Sequence, residues 1–267
     1  MIAFINHKTS NYYERELMKK FSLSKMATII TAPVLMTGLM ASNASAADIS
    51  LSGNISVISK YVLRGVQKSA ESNVPALQGG FDASHSSGLY LGYWASNLSY
   101  SDGDDNGYEN DLYGGYSGSV AGVNFGVGFI QYIYIDIEDA NGTEAVVNLG
   151  YGPVTVQAQY LTNDVTWGNA GDIYWTANAG VDLPKDFSLG VSLGYYTYSD
   201  KDSDNKFIAD GSTTITSGFR HLNVSISHPI GNTGADMSLT AIYGGTTRDD
   251  TEQGSTGVLG ISYAFDI

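Results

Sequence analysis

Residues 187–196 read FSLGVSLGYY, a run in which large apolar side chains alternate with small or polar ones. Successive side chains of a β-strand point to opposite faces, so this spacing predicts a strand with one apolar and one small, polar face. The same period of two recurs in VNFGVGF at 123–129 and VTVQAQY at 154–160. No helical period competes with it after residue 47, so the chain beyond that point is predicted to be all-β.

Twelve such runs are found, and most have the roughly 9–11 residues that a tilted strand needs to cross a bilayer. They lie at 49–59, 75–84, 89–99, 112–118, 123–135, 145–150, 154–162, 173–181, 187–198, 213–228, 237–245 and 255–267. The two shortest runs are expected to extend into their loops. Short connectors alternate with longer ones, and both ends of the barrel sequence fall on the short side, which is typical of an outer-membrane barrel.

We therefore predict a transmembrane antiparallel up-and-down β-barrel of about twelve strands, with ten or fourteen as alternatives. A secreted β-sandwich also alternates, but it gives no reason for the two kinds of connector. The alternation is interrupted between Phe219 and Leu222, and a β-bulge near Gly218 would explain the slip.

The start of the chain resembles a secretory signal. Lys19 and Lys20 precede an apolar stretch at 26–40, and Ala44-Ser45-Ala46 provides a small-residue cleavage site. Residues 1–46 are thus predicted to be the signal-peptide region, in which translation starts at Met18 and the signal itself spans 18–46. Residues 47–267 are predicted to form a single barrel domain. The alternative is a buried core helix, which the flanking lysines disfavour.

Composition excludes several classes of function. The net charge of −14 and the pI of about 4.4 argue against a nucleic-acid partner, which needs a basic face. The absence of Cys excludes disulfides, Cys-ligated metals and thiol catalysis. Most carboxylates after residue 46 lie in the longer connectors. There they avoid the lipid-facing surface of the strands, where a charged side chain costs about 2–4 kcal/mol in the worst cases.

One set of motif residues lies in the first long loop and in the two predicted strands that follow it. It comprises Tyr61, Arg64, Gly65, Gln78, Gly79, Gly80, Phe81, Asp82, Trp94 and Asn97. In order and spacing this set resembles the opening of the TorF family, proteobacterial outer-membrane proteins classed as porins. Lys60 and Leu63 depart from the family pattern, where an acidic residue and a Phe are expected. The resemblance implies a porin of unspecified substrate.

Three of the eight basic residues after position 46, Lys60, Arg64 and Lys68, lie in the first long loop. If this loop folds inward, Arg64 faces carboxylates such as Glu71 and sets a transverse field at a constriction. The alternative is an exposed loop that pairs with nearby acids or with lipopolysaccharide phosphates.

Other candidate chemistry is weaker. The acidic loop at 102–113 begins like a calcium loop but has Tyr113 where a bidentate Glu is required, so we predict no cofactor and only weak divalent-cation binding. His85, His221 and His228 lack a pattern that would orient a nucleophile, so no enzyme is predicted. Aromatic residues near predicted strand ends are expected at the membrane interfaces. They are Tyr61, Tyr90, Trp94, Tyr100, Tyr132, Tyr134, Tyr160, Trp167, Trp175, Tyr196 and Tyr198.

The predicted function is a porin-like channel in the bacterial outer membrane for passive diffusion of small solutes, with a mild cation preference. Expected partners are outer-membrane lipids, lipopolysaccharide and the barrel assembly machinery; the oligomeric state stays open. The alternative is a closed barrel that presents acidic loops to lipopolysaccharide, divalent cations or proteins. Small lumenal residues favour the channel, and Tyr132, Tyr134 and Tyr196 favour the closed barrel. The small residues are Asn124, Gly126, Gly128, Thr155, Gln157, Ser188, Gly190 and Ser192.

Overall fold

A computed structural model describes residues 48–67, 75–98, 107–135, 137–199 and 213–267. Within these residues, twelve antiparallel strands pair with their neighbours in chain order, and β12 pairs with β1 to close a barrel. The strands are β1 (Ile49–Ile58), β2 (Ala76–His85), β3 (Leu89–Asn97), β4 (Tyr108–Val120), β5 (Val123–Ile135), β6 (Gly142–Tyr151), β7 (Val154–Leu161), β8 (Ile173–Asp182), β9 (Ser188–Thr197), β10 (Ser217–Pro229), β11 (Ala235–Gly244) and β12 (Ser255–Asp266). The predicted strand number and topology are confirmed. The predicted signal peptide lies outside the described residues.

Two strands are longer than the alternating runs that predicted them. β4 begins at Tyr108 and β6 at Gly142, because both extend into the preceding loops as expected for the shortest runs. The placement of Glu109, Asp111 and Glu144 in loops was therefore wrong. All three belong to strands and are buried inside the barrel, where a carboxylate avoids contact with lipid.

The interrupted alternation in β10 is a bulge. Phe219 pairs with Tyr195 and His221 with Gly194, so Arg220 is one extra residue between them. The predicted slip is confirmed, two residues after Gly218. Because a bulge sets two residues against one, Arg220 and His221 both lie buried in the interior.

The outer surface of the barrel is apolar along its whole circumference. Side chains such as Leu51, Leu91, Val127, Leu193 and Leu259 are each between 43% and 57% exposed. Their neighbours along each strand point into the barrel, away from this surface. This is the alternation of a barrel whose outer face contacts lipid and whose inner face does not.

The interior has two zones. Near the short turns, inward-facing residues such as Ser52, Asn54, Thr155 and Ser188 are small and polar and remain partly exposed. Near the longer loops, the interior is filled by buried aromatic and charged side chains. The eight small residues that the sequence placed in the lumen do face inward. In the described part of the chain, no helix has the length and apolar character needed to cross a membrane.

Candidate functional site

The described part of the first long loop, residues 60–67, folds into the barrel. After β1 the chain forms a single 3₁₀ turn, Leu63–Gly65, which packs against β10 and β11. Arg64 and Gly65 both have positive φ, 47° and 78°. A Cβ at Gly65 would lie 2.6 Å from the Cβ of His221, so only glycine fits there. The inward fold, one of the two alternatives from the sequence, is the one observed.

Arg64 makes a two-bond ion pair with Glu144. Its Nη1 lies 2.9 Å from Oε1 and its Nη2 lies 2.6 Å from Oε2. The same guanidinium donates to the hydroxyl oxygens of Tyr196 and Tyr132, at 2.5 Å and 3.1 Å. Tyr132 in turn donates to Glu144 at 2.9 Å. Charge and hydrogen-bonding capacity are therefore matched within one buried cluster.

Aromatic rings surround the same guanidinium. Its carbon lies 4.4 Å from the ring centre of Tyr174 and 5.9 Å from that of Trp167. Burial by itself lowers the pKa of Arg64, but Glu144, Tyr196 and Tyr132 together outweigh it and hold that pKa above its ordinary value. The cation is consequently permanent. The Tyr174 hydroxyl is fixed at 2.6 Å from Nε2 of His221.

A second group of contacts lies beside the first. Glu109 accepts hydrogen bonds from Tyr61 at 2.7 Å and Tyr134 at 3.3 Å, and the Tyr61 ring centre is 6.4 Å from that of Trp94. Asp111 is fully buried, and neither of its carboxylate oxygens has a hydrogen-bond partner among the described residues. We call Glu109, Asp111 and Glu144 the carboxylate wall.

Positive charge lies on the opposite side. Arg220 is on β10, six strands around the ring from β4, and its Nη1 donates to the backbone oxygen of Thr246 at 3.1 Å. Its guanidinium carbon is 5.5 Å from the ring centre of Tyr196. Farther out, Arg248 forms a buried ion pair with Asp172. The lumen is thus acidic at β4 and β6 and basic at β10, an arrangement that produces a field across its width.

The candidate constriction residues are placed only in part. Arg64 is buried, and Lys60 lies partly exposed at the start of the inward segment. Lys68 and Glu71 lie outside the described residues. The carboxylate that pairs with Arg64 is Glu144, which the sequence analysis did not single out. These two residues are 80 positions apart and meet only in the folded barrel, so no local sequence pattern could have predicted their ion pair.

Motif residues divide between the two faces of their strands. Gln78, Gly80, Asp82 and Trp94 face the interior, while Gly79, Phe81 and Asn97 face outward. The Asn97 side chain joins β3 to the start of β2, since its Oδ1 accepts from the Leu77 backbone at 2.6 Å. The motif therefore combines lumenal residues with residues that fix the β2–β3 edge.

The prediction that the aromatic residues lie at the membrane interfaces was wrong for eight of them. Trp175 and Tyr160 do lie on the outer face and are 43% and 44% exposed. Those that instead lie buried in the interior are Tyr61, Tyr90, Trp94, Tyr132, Tyr134 and Tyr196. Trp167 and Tyr198 are partly buried and pack against Tyr132 and Tyr196. The prediction used the position of each aromatic near a strand end but not the face on which its side chain lies. Tyr132 lies an even number of residues from Gly126 and Gly128, so it shares their inward face. Tyr100 lies outside the described residues.

Metal-ion chemistry finds no support in the part of the chain that the structure describes, where no group of His, Asp or Glu is arranged to hold a metal ion. The acidic positions 102 and 104, and 200, 202 and 204, lie outside the described residues. Weak divalent-cation binding there stays a prediction.

These features define a class of protein. A closed twelve-strand barrel with an apolar exterior and a polar interior is an outer-membrane β-barrel, and it resides in the bacterial outer membrane. Residues 41–264 match the family described as "Bacterial protein of unknown function (Gcw_chp)", and the chain belongs to that family. No curated protein matches the chain by sequence.

Solved barrels resemble the structure in outline. The KdgM porin has 11% identity and a TM-score of 0.48, with 81% of this chain and 99% of that chain covered. The NanC porin has 8% identity and a TM-score of 0.49, with coverage of 80% and 98%. Outer membrane phospholipase A from Escherichia coli has 12% identity and a TM-score of 0.42, with coverage of 80% and 96%. Likenesses this low identify neither a solute nor an activity.

Proposed function

We propose that this barrel is a porin-like channel for passive diffusion of small solutes, and that the inward segment around Arg64 is its constriction. The observation that supports this best is the polar lining between the cluster and the short turns. Residues such as Asn54, Thr155 and Ser188 point inward yet remain partly exposed, so water reaches the lumen from that side. No enzymatic role is proposed.

The constriction is formed by a loop held against the wall rather than by the wall alone. The Arg64–Glu144 ion pair ties the inward segment to β6, while Tyr61 ties it to Glu109 on β4. Lys60, Lys68 and Glu71 belong to the same loop, and we propose that they line its approach. Loops folded in this way set both the width and the field of a pore.

We propose a mild cation preference. The carboxylate wall and the acidic outer loops raise the local concentration of cations, an effect screened over about 8 Å at physiological salt. The preference should fade as the salt concentration rises. A reversal potential that shows anion selectivity at low salt would contradict it.

The finer family assignment and the partners are proposals too. The resemblance carried by Tyr61, Arg64 and Gly65 supports placing the chain with the TorF porins. Outer-membrane lipids and lipopolysaccharide are the expected surroundings of the barrel, and the barrel assembly machinery is the expected route of insertion.

The test is single-channel conductance of the purified barrel in a planar bilayer. We expect discrete steps that become larger in Arg64→Ala, because the ion pair that holds the inward segment is lost. Lys185→Gln removes the same charge from the exposed short turn between β8 and β9 and should leave the steps unchanged. Conductance steps of equal size in the wild type and in Arg64→Ala would show that Arg64 does not form the constriction.

One observation favours the closed scaffold as a second candidate. Tyr61, Tyr132, Tyr134 and Arg64 are all at least 93% buried, so the cluster fills the outer half of the interior in this conformation. A folded barrel that gives no conductance, either as the wild type or as Arg64→Ala, would favour this candidate. The outer loops would then carry the function.

A further inference from the structure

The carboxylate wall places three carboxyl groups beside a single guanidinium, that of Arg64. Asp111 experiences the fields of Glu109 and Glu144, both repulsive, and of Arg64, which is attractive. Arg64 donates hydrogen bonds to Glu144, Tyr196 and Tyr132. Glu109 accepts hydrogen bonds from two tyrosine hydroxyls. Asp111 alone in the wall lacks a hydrogen-bond partner among the described residues. A buried carboxylate in this condition is costly unless it takes up a proton or a cation or a donor reaches it.

The neighbours of Asp111 are suited to a cation of one kind. Its cross-strand partners are Trp94 on β3 and Tyr132 on β5, and all three side chains point into the lumen. Aromatic faces beside a carboxylate attract organic cations, since the ring quadrupole adds to the charge. Arg64 shows that this wall accommodates such a group, because its guanidinium is held by a carboxylate, two phenol hydroxyls and a ring face.

From this geometry we propose that Asp111, flanked by Trp94 and Tyr132, is a lumenal subsite for the guanidinium or ammonium group of a small organic cation. Arg64 occupies the first cation position of the wall, and Asp111 provides the second. The proposal deepens the channel function and rests on it for its biological meaning, since it names the class of solute. Binding itself can be measured without transport.

The inward segment covers this subsite. Tyr61 donates to Glu109, two residues from Asp111 on the same strand, and its ring packs near Trp94. Asp111 has no exposed surface in this conformation. A ligand therefore displaces the Tyr61 side chain rather than entering a preformed cavity.

The test is calorimetric titration of the barrel in detergent micelles with ethylguanidinium, with the neutral isostere ethylurea as a second probe. We expect ethylguanidinium to bind and ethylurea not to bind. Asp111→Asn should weaken binding about tenfold or more, the usual effect of losing a hydrogen bond to a charged group. Asp82→Asn is the matched control, another inward carboxylate whose loss should change affinity little. Tyr61→Ala should bind more tightly than the wild type.

Outcomes separate this proposal from the channel function. Binding of ethylguanidinium that is equal in Asp111→Asn and Asp82→Asn overturns the subsite, as does equal binding of ethylurea. A barrel that conducts but does not bind ethylguanidinium also overturns it and leaves the channel intact. A barrel that binds through Asp111 but never conducts supports the subsite and refutes the channel. Folding of each variant is checked by heat-modifiable migration on gels.

Discussion

The guanidinium of Arg64 and the carboxylate of Glu144, 80 positions apart in the chain, form a two-bond ion pair inside the barrel. The pair fastens the loop that follows β1 to the beginning of β6. Side-chain exposures of 9% and 2% mean that water screens it little. The consequences for stability follow from that burial.

Glu144→Gln should lower the free energy of unfolding by about 3 kcal/mol, because Arg64 would remain buried without its counter-charge. Arg64→Leu combined with Glu144→Leu should cost less than the sum of the two single changes. Urea unfolding in micelles measures the wild type, Glu144→Gln, the two single leucine variants and the double variant. Additive single effects would show that the two side chains are not coupled.

Gly92→Ala should destabilise the barrel by about 1–3 kcal/mol through overpacking. A Cβ at this position would lie 2.2 Å from the ring of Tyr113, its partner across β3 and β4. Tyr113 cannot swing aside freely, because its hydroxyl donates to Asp82 at 2.5 Å. The control is Gly257→Ala, where a Cβ meets nothing within 4 Å, and thermal unfolding should distinguish the two. Equal losses would contradict the close contact.

Ile55→Arg should lower the stability of the inserted barrel by about 2–4 kcal/mol, because this side chain is 48% exposed on the lipid-facing surface. Asn54→Arg, one residue earlier, points into the partly exposed lumen and should cost far less. Unfolding from lipid vesicles provides the comparison. A larger loss for Asn54→Arg would reverse the assignment of the two faces.

The acidic loop between β11 and β12 should keep its charge in mild acid. Partial burial acts to raise the pKa of Asp249, but hydrogen bonds from the hydroxyls of Thr247 and Thr251 outweigh it and lower that pKa. Ionised Asp249 contributes stability at any pH above its ordinary pKa of about 4. That stability is lost as the pH falls through the lower pKa of Asp249 in the folded protein. Thr251→Val should therefore raise the pKa of Asp249 in an NMR titration. An unchanged pKa would exclude this hydrogen bond as the cause.

Predictions from the sequence were most accurate for features that depend on the immediate environment of each side chain. Lipid outside and a polar lumen inside impose a period of two on every strand, so the twelve strands and the bulge in β10 were readable directly. Strand ends were less certain, since β4 and β6 continue beyond the point where the apolar pattern stops. Glu109 and Glu144 were misplaced for that reason.

The site was only half readable. Arg64 was singled out because basic residues are rare in this chain, and its loop does fold inward. Its partner was not, because Glu144 resembles any other acidic residue next to a loop. The inward aromatics carried a usable signal, since Tyr132 and Tyr134 fall on the same parity as the small lumenal residues of β5.

The sequence by itself determined the class of fold, the direction in which each strand side chain points and the sorting of loops from turns, because each depends on local alternation and on what borders the strand. Only the tertiary structure decided which charges meet. Closing the ring places β4 and β6 across from β10 and sends the loop after β1 between them. The pairing of Arg64 with Glu144, and the lack of any such partner for Asp111 among the described residues, are properties of that closed ring and of no single stretch of chain.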